Sequence, residues 1–176
     1  MHPAGRQSNL ILITGFMASG KTAVAKALGN LLNCPAIDLD ELITTREGRT
    51  PQELIEEDGE AKFRELESQA LAEALARPAG VIALGGGAWM VSENRTSIAR
   101  SNGITVWLDT PFELCWQRIL ASGSTRPLAR ERERAEDLFL KRRPTYQLAQ
   151  LHIVPVIEQS AAEVARTIAK ALERSC

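Results

Sequence analysis

This chain of 176 residues has little cysteine, histidine or aromatic content. Its three cysteines, Cys34, Cys115 and Cys176, form no CxxC pair, and an odd count gives no disulfide framework. A reducing, cytoplasmic setting is the expectation. The two histidines, His2 and His152, are far apart, which argues against a zinc site. Aromatics make up 5% of the chain, too few for the stacking platforms of single-strand binders. A formal net charge of -1 excludes a general nucleic-acid binder, which would be basic. The aliphatic run "LILI" is too short to cross a bilayer, and "MHPAGRQSN" lacks the apolar stretch of a secretory signal. No repeat, linker or low-complexity tract divides the chain. One domain over residues 1–176, monomeric and without nucleic-acid or membrane partners, is expected.

Apolar residues make up 44% of the sequence. They gather in five short runs, "LILIT", "PAID", "VIALG", "ITVWLD" and "LHIVPV", most of them without polar alternation. Such runs suit strands of a parallel sheet covered on both faces. Helical patterns lie between them over Lys21–Leu32, Glu60–Ala76, Ser92–Arg100, Phe112–Leu120, Ala135–Leu148 and Ala161–Leu172. Thr50-Pro51 and Thr110-Pro111 each place a capping residue before a proline at a first helical position. The alternation gives a doubly wound α/β fold: a five-stranded parallel sheet with helices on both faces. The polar, Arg-rich stretch at about 122–134 interrupts the order and is expected to be a mobile lid.

"GFMASGKT", Gly15 to Thr22, fits G-x-x-x-x-G-K-[ST] in full and lies between a strand and a helix. Glycines there let successive N–H groups point at phosphate oxygens, and the helix start adds partial positive charge. Lys21 is expected at the β- and γ-phosphates and Thr22 on Mg²⁺, so the stretch reads as a nucleoside triphosphate cradle. A second acid for the metal is expected from Asp38, at a strand end, or from Asp109. Alternate spacing along a strand would point Asp38 and Asp40 the same way, one toward the metal and one toward an acceptor hydroxyl. Asp109 more simply ends a strand before the Thr110-Pro111 cap.

The acceptor side is marked by Arg64, with Glu67 one turn on, by Gly85-Gly86-Gly87 in "LGGGA", and by Arg142 in "KRRPTY". Three glycines after a buried strand are costly in backbone entropy and suit a small ligand lying on the main chain. Arg142 leads Tyr146 by four residues, so both would share a helix face, with Pro144 between them expected near a helix interruption. Arg64 and Arg142 together would fork a carboxylate.

"GFMASGKT", "DLDELI", "GEAKFRELE", "LGGGA", "TRPLA" and "KRRPTY" together resemble the shikimate kinase family, P-loop small-molecule kinases of the nucleoside monophosphate kinase-like type. The likeness runs from about Asn9 to the last helix. It implies ATP- and Mg²⁺-dependent phosphorylation of the 3-hydroxyl of shikimate, a step of the shikimate pathway of aromatic amino acid biosynthesis. It implies that Gly15, Ala18, Ser19, Gly20, Lys21, Thr22, Ala23, Arg118 and Arg126 hold the nucleotide. By the same resemblance Thr22 and Asp38 serve the metal, and Lys21, Asp40 and the lid residue Arg126 serve catalysis. Asp40, Arg64, Gly85, Gly86, Gly87 and Arg142 would bind shikimate, with Glu67 orienting Arg64. Ala18 stands where the family often has glycine, and the loop around "PVIEQSA" matches poorly. A kinase of another hydroxy-acid such as gluconate, or a nucleotide-binding module without turnover, is the alternative reading.

Overall fold

The computed structural model describes residues 9–122 and 132–174. Five strands, β1 (Asn9–Thr14), β2 (Ala36–Asp38), β3 (Ala79–Ala83), β4 (Ile104–Leu108) and β5 (Leu151–Ile153), form one parallel sheet in the order β2-β3-β1-β4-β5. The helices are α1 (Lys21–Leu32), α2 (Leu39–Glu47), α3 (Pro51–Asp58), α4 (Glu60–Leu75), α5 (Ser92–Arg100), α6 (Phe112–Ala121), α7 (Arg132–Tyr146) and α8 (Ala161–Glu173), with a 3₁₀ turn at Ala88–Met90.

Period-two alternation assigns the two faces. Ile11 and Ile13 of β1, with Val81, Ala83, Val106 and Leu108, pack on Val24 and Leu28 of α1 and on Val164 and Ile168 of α8. Leu10 and Leu12, with Ile37, Ile82 and Trp107, face the other way, against residues of α2 to α7. Both faces are apolar because both are covered, which is why these strands read as continuous runs.

The structure departs from the sequence reading at five places. The segment after Asp38 is helical. Asp38 caps α2 by accepting from the backbone N–H groups of Asp40 (2.9 Å) and Glu41 (3.2 Å), so Asp40 stands on a helix and not at alternate spacing along a strand. The D-x-x-E spacing and Gly48 at the far end are the signals for this helix. Thr50 makes the expected cap, within a capping box with Glu53, but Thr110 caps nothing: its hydroxyl donates to Ser19 O at 2.9 Å. The run "LHIVPV" pairs only over Leu151–Ile153, before Pro155, which has no N–H to donate. Pro144 lies inside α7, in its last turn, and does not interrupt it. Arg132–Arg134, placed in the lid by sequence, belong to α7, while Ser122 is the C-cap of α6. The rest of that expected lid, with Arg126, lies outside the described residues.

Asp109 closes the carboxyl end of β4. Its carboxylate accepts from Arg143 Nη2 at 2.5 Å and from the His152 ring at 2.9 Å, and its N–H donates to Ile153 O. His152 stacks on Trp107 with ring centroids 4.3 Å apart, and Arg143 lies over the same indole. This mostly buried carboxylate joins β4, β5 and α7, a structural task. Replacing it with a neutral amide weakens two contacts, one of them charge-assisted. Asp109→Asn is expected to cost about 2 kcal/mol, a fall of roughly 4–8 °C in Tm for a domain this size, as read by thermal unfolding.

Candidate active site

The carboxyl ends of β1, β2, β3 and β4 bring the marked residues to one edge of the sheet, where ligands bind in open α/β folds. Gly15 opens the loop after β1 with φ 150°, and a Cβ there would lie 2.7 Å from Leu108 O, so the close approach to β4 requires glycine. Ala18 adopts φ 56°, the left-handed region, at a cost of about 1–2 kcal/mol for a residue with a Cβ. Gly20, φ 99°, is the N-cap of α1 without any side-chain cap, and the first turn carries no acid. The helix start therefore presents unsatisfied N–H groups and positive dipole, the arrangement an anion fits. Lys21 Nζ donates back to the carbonyls of Gly15 (3.0 Å) and Phe16 (2.7 Å). Ser19 Oγ is buried with no hydrogen-bond partner among the described residues.

Two contacts brace this loop from outside. One is the Thr110 hydroxyl on Ser19 O. The other is Arg118 of α6, whose Nη1 donates to Ala18 O at 3.2 Å and sits beside Gly20. Thr22 Oγ1 donates to Asp38 Oδ2 at 2.5 Å, so the hydroxyl and the carboxylate expected at the metal are adjacent. A hydroxyl and a carboxylate form a hard oxygen pair that suits Mg²⁺ held jointly with phosphates. Among the described residues no cluster of three or more His, Cys, Asp or Glu could hold a metal without such help. Ala23, the remaining residue assigned to the nucleotide, is exposed on the first turn of α1.

Beside the loop lies a cavity of about 410 Å³, lined by Met17, Asp40, Phe63, Arg64, Glu67, Gly86, Gly87 and Arg142 and by Thr50, Pro51, Gln52, Ile55 and Glu60. Sequence reasoning had marked the first group, except Met17 and Phe63, for chemistry. It missed the wall made by α3, of which Thr50-Pro51 was visible only as a helix start.

The glycine triplet has a more specific use than loop flexibility. A Cβ on Gly87 would lie 2.4 to 2.6 Å from the Arg64 guanidinium, and one on Gly85 would meet Glu67 Oε1 at 2.7 Å and Asp40 Oδ1 at 2.9 Å. The charged side chains rest on bare backbone. Gly86 O accepts from both Arg142 Nη1 (3.0 Å) and Tyr146 Oη (2.9 Å), confirming that these two share a face of α7. Trp89 Nε1 adds a bond to Thr145 O.

Glu67 is buried, 1% exposed, and its carboxylate accepts from Arg64 Nη1 at 2.7 Å. Burial pushes its carboxyl above the usual range against the pull of Arg64; nearby Asp40 also raises it. A surface ion pair between Arg64 and Glu67 is thus ruled out: the acid is interior, and the arginine is its partner and cover.

This is the fold and site of a P-loop small-molecule kinase: a phosphate-loop motif at a helix start, a hydroxyl and a carboxylate paired beside it, and a separate cavity bearing two arginines and three acids. The family model for shikimate kinase matches residues 17–173. The chain is 39% identical over 170 residues to a shikimate kinase of Cereibacter sphaeroides, with 93% of this chain and 84% of that protein covered. It superposes on a shikimate kinase from Acinetobacter baumannii, solved in complex with shikimate, with a TM-score of 0.88 and 33% identity, covering 95% of this chain and 94% of that one. A gluconokinase from Sinorhizobium meliloti shares the fold at a TM-score of 0.59 and 18% identity, covering 97% of this chain and 94% of the other. The chain belongs to the shikimate kinase family.

Tyr146 is the only tyrosine of the chain and reports on the site directly. Burial pushes its hydroxyl up to about 12 from the ordinary 10.0. Its contribution to stability is therefore intact below pH 10 and is lost as pH rises through the folded value near 12. The phenolate absorbance is expected to appear near pH 12 in the native protein and near pH 10 in denaturant. Tyr146→Phe should flatten the fall in stability between those values, measured by urea unfolding.

Proposed function

We propose that the chain transfers the γ-phosphoryl group of ATP to the 3-hydroxyl of shikimate. The observation that carries this reading is the cavity itself. Arg64, Arg142 and Asp40 line one space, beside the phosphate loop and against glycine backbone. Two guanidinium groups suit one carboxylate, and an acid among them suits a hydroxyl on the same small ring. The family model and the relatives named above support the same substrate. A hydroxy-acid such as gluconate has only the shared fold in its favour.

The family uses ATP with Mg²⁺. Thr22 and Asp38 would hold the metal, which supplies positive charge to the phosphate oxygens when bound. Phosphoryl transfer asks the protein mainly for alignment and charge. The N–H groups of Ala18 to Thr22 cradle the β-phosphate, and Lys21 leaves the loop carbonyls for the β- and γ-oxygens. Arg118, already against Ala18 O, would serve the nucleotide. Arg64 and Arg142 hold the carboxylate and so direct the ring. Asp40 accepts the hydroxyl proton as the oxygen attacks phosphorus. The bond from phosphorus to the bridging oxygen breaks, and its electron pair leaves with ADP. The resemblance assigns the lid residue Arg126 to the transferring phosphate. All assigned residues come from one chain, so a monomer in the cytoplasm suffices for turnover.

Coupled ADP release over a panel of hydroxy-acids tests the reading. Shikimate is expected to drive turnover, with gluconate near background; the reverse order would reject the assignment. Within that assay Arg64→Lys should raise the KM for shikimate by roughly 30-fold or more, with the KM for ATP little changed. A lysine point charge does not replace a planar fork, and truncating such a contact costs about 2–5 kcal/mol. Asp38→Asn should raise the Mg²⁺ concentration needed for half-maximal rate. Asp109→Asn should leave it unmoved, and a magnesium titration separates the two acids.

A further inference from the structure

Arg64 is held by two carboxylates of very different standing. Glu67 is interior at 1% exposure and takes Nη1, whereas Glu60 is 69% exposed and takes Nη2 at 3.0 Å. Glu67 supplies the inner contact that holds the guanidinium. Two further contacts reinforce it: the plane lies on the backbone of Gly87, and its carbon stands 5.3 Å from the Phe63 ring centroid. Glu60 is the outer, solvent-exposed contact of the same group. It is the first residue of α4 and lines the cavity into which a substrate carboxylate must come.

We infer that Glu60 is a tethered competitor of the substrate carboxylate: an internal anion on Arg64 Nη2 that must swing away before the fork closes on shikimate, and that thereby sets the KM for shikimate. The inference rests on the reading of the chain as a shikimate kinase. A carboxylate one helical turn from the arginine has a high local concentration, so it fills the donor whenever substrate is absent. Because Glu60 is exposed, breaking its pair costs little, and the competition tunes affinity without closing the site. The same charge also repels an approaching carboxylate at the mouth of the cavity. Glu67 cannot play this part, because its burial keeps it on Nη1.

The test is steady-state kinetics on Glu60→Gln and Glu60→Ala, with Glu65→Gln as the control. Glu65 has the same charge on the same helix, pairs with Lys62 and does not line the cavity. Both Glu60 variants should lower the KM for shikimate by about two- to fivefold, the range an exposed ion pair corresponds to, with kcat and the KM for ATP unchanged. Calorimetry of shikimate on the nucleotide-free protein should show the same gain in Kd. Near 1 M salt, where screening extends only about 3 Å, the ratio between wild type and Glu60→Gln should shrink toward one. A raised KM would make Glu60 a positioning residue for Arg64 and overturn the inference. An unmoved KM would reduce it to a helix-start charge, and an equal fall in Glu65→Gln would reduce the effect to net charge; either result also overturns it. Wild-type turnover tests the parent reading separately. No turnover of shikimate removes both, whereas turnover with an unmoved KM removes the inference alone.

Discussion

The carbonyl oxygen of Gly86 is the point on which the acceptor half of the site depends. It receives the Arg142 guanidinium and the Tyr146 hydroxyl from one face of α7, and so fixes that helix against the turn after β3. Tyr146 is fully enclosed, where an unpaired hydroxyl would be costly, so the bond is strongly favoured. The glycines on either side complete the arrangement by what they lack. Without a Cβ at Gly85, Glu67 and Asp40 approach the main chain; without one at Gly87, the Arg64 guanidinium lies flat on it. Three helices, α2, α4 and α7, thereby deliver charged groups to one short stretch of backbone.

The charges in that space are graded by burial. Glu67 is deep and shifted toward its neutral form, yet it faces a permanently charged arginine, a pair whose breaking would leave an interior charge uncompensated. Arg64 is intermediate, and Glu60 is at the surface. Such a gradient gives a rigid inner contact and an exchangeable outer one on the same guanidinium. The phosphate half follows a different rule. Its positive field comes from backbone N–H groups and the start of α1, and its lysine rests on loop carbonyls. The two halves meet at Met17, in the phosphate loop and on the cavity wall.

Most of the architecture was legible in the sequence, because buried parallel strands and their helices leave periodic apolar signals. The exceptions share a cause. Leu39–Glu47 has a weak amphipathic pattern, with Thr44 and Thr45 bonding back to the preceding turn, so only its cap at Asp38 and its glycine end announce it. Thr110 looked like a cap because Thr-Pro is the usual local signal; a carbonyl 91 residues away in the chain took the hydroxyl instead. Asp109 read correctly as a strand end, but its partners Arg143 and His152 lie on other elements and carry no signal of spacing.

By itself the sequence determined the doubly wound fold, the phosphate loop with Lys21 and Thr22, and the set of acids, arginines and glycines that ally the chain with the shikimate kinases. Those are properties of residue type at fixed spacing, and local backbone physics reads them directly. Only the tertiary structure decided how the charges are apportioned: Glu67 interior, Glu60 exposed, both on Arg64, with Gly87 as the floor beneath it. It also decided that Asp38 joins Thr22 while Asp109 joins Arg143. The physical reason is that desolvation and pairing depend on what packs over a group, and here that packing comes from segments 16 to 60 residues distant in the chain.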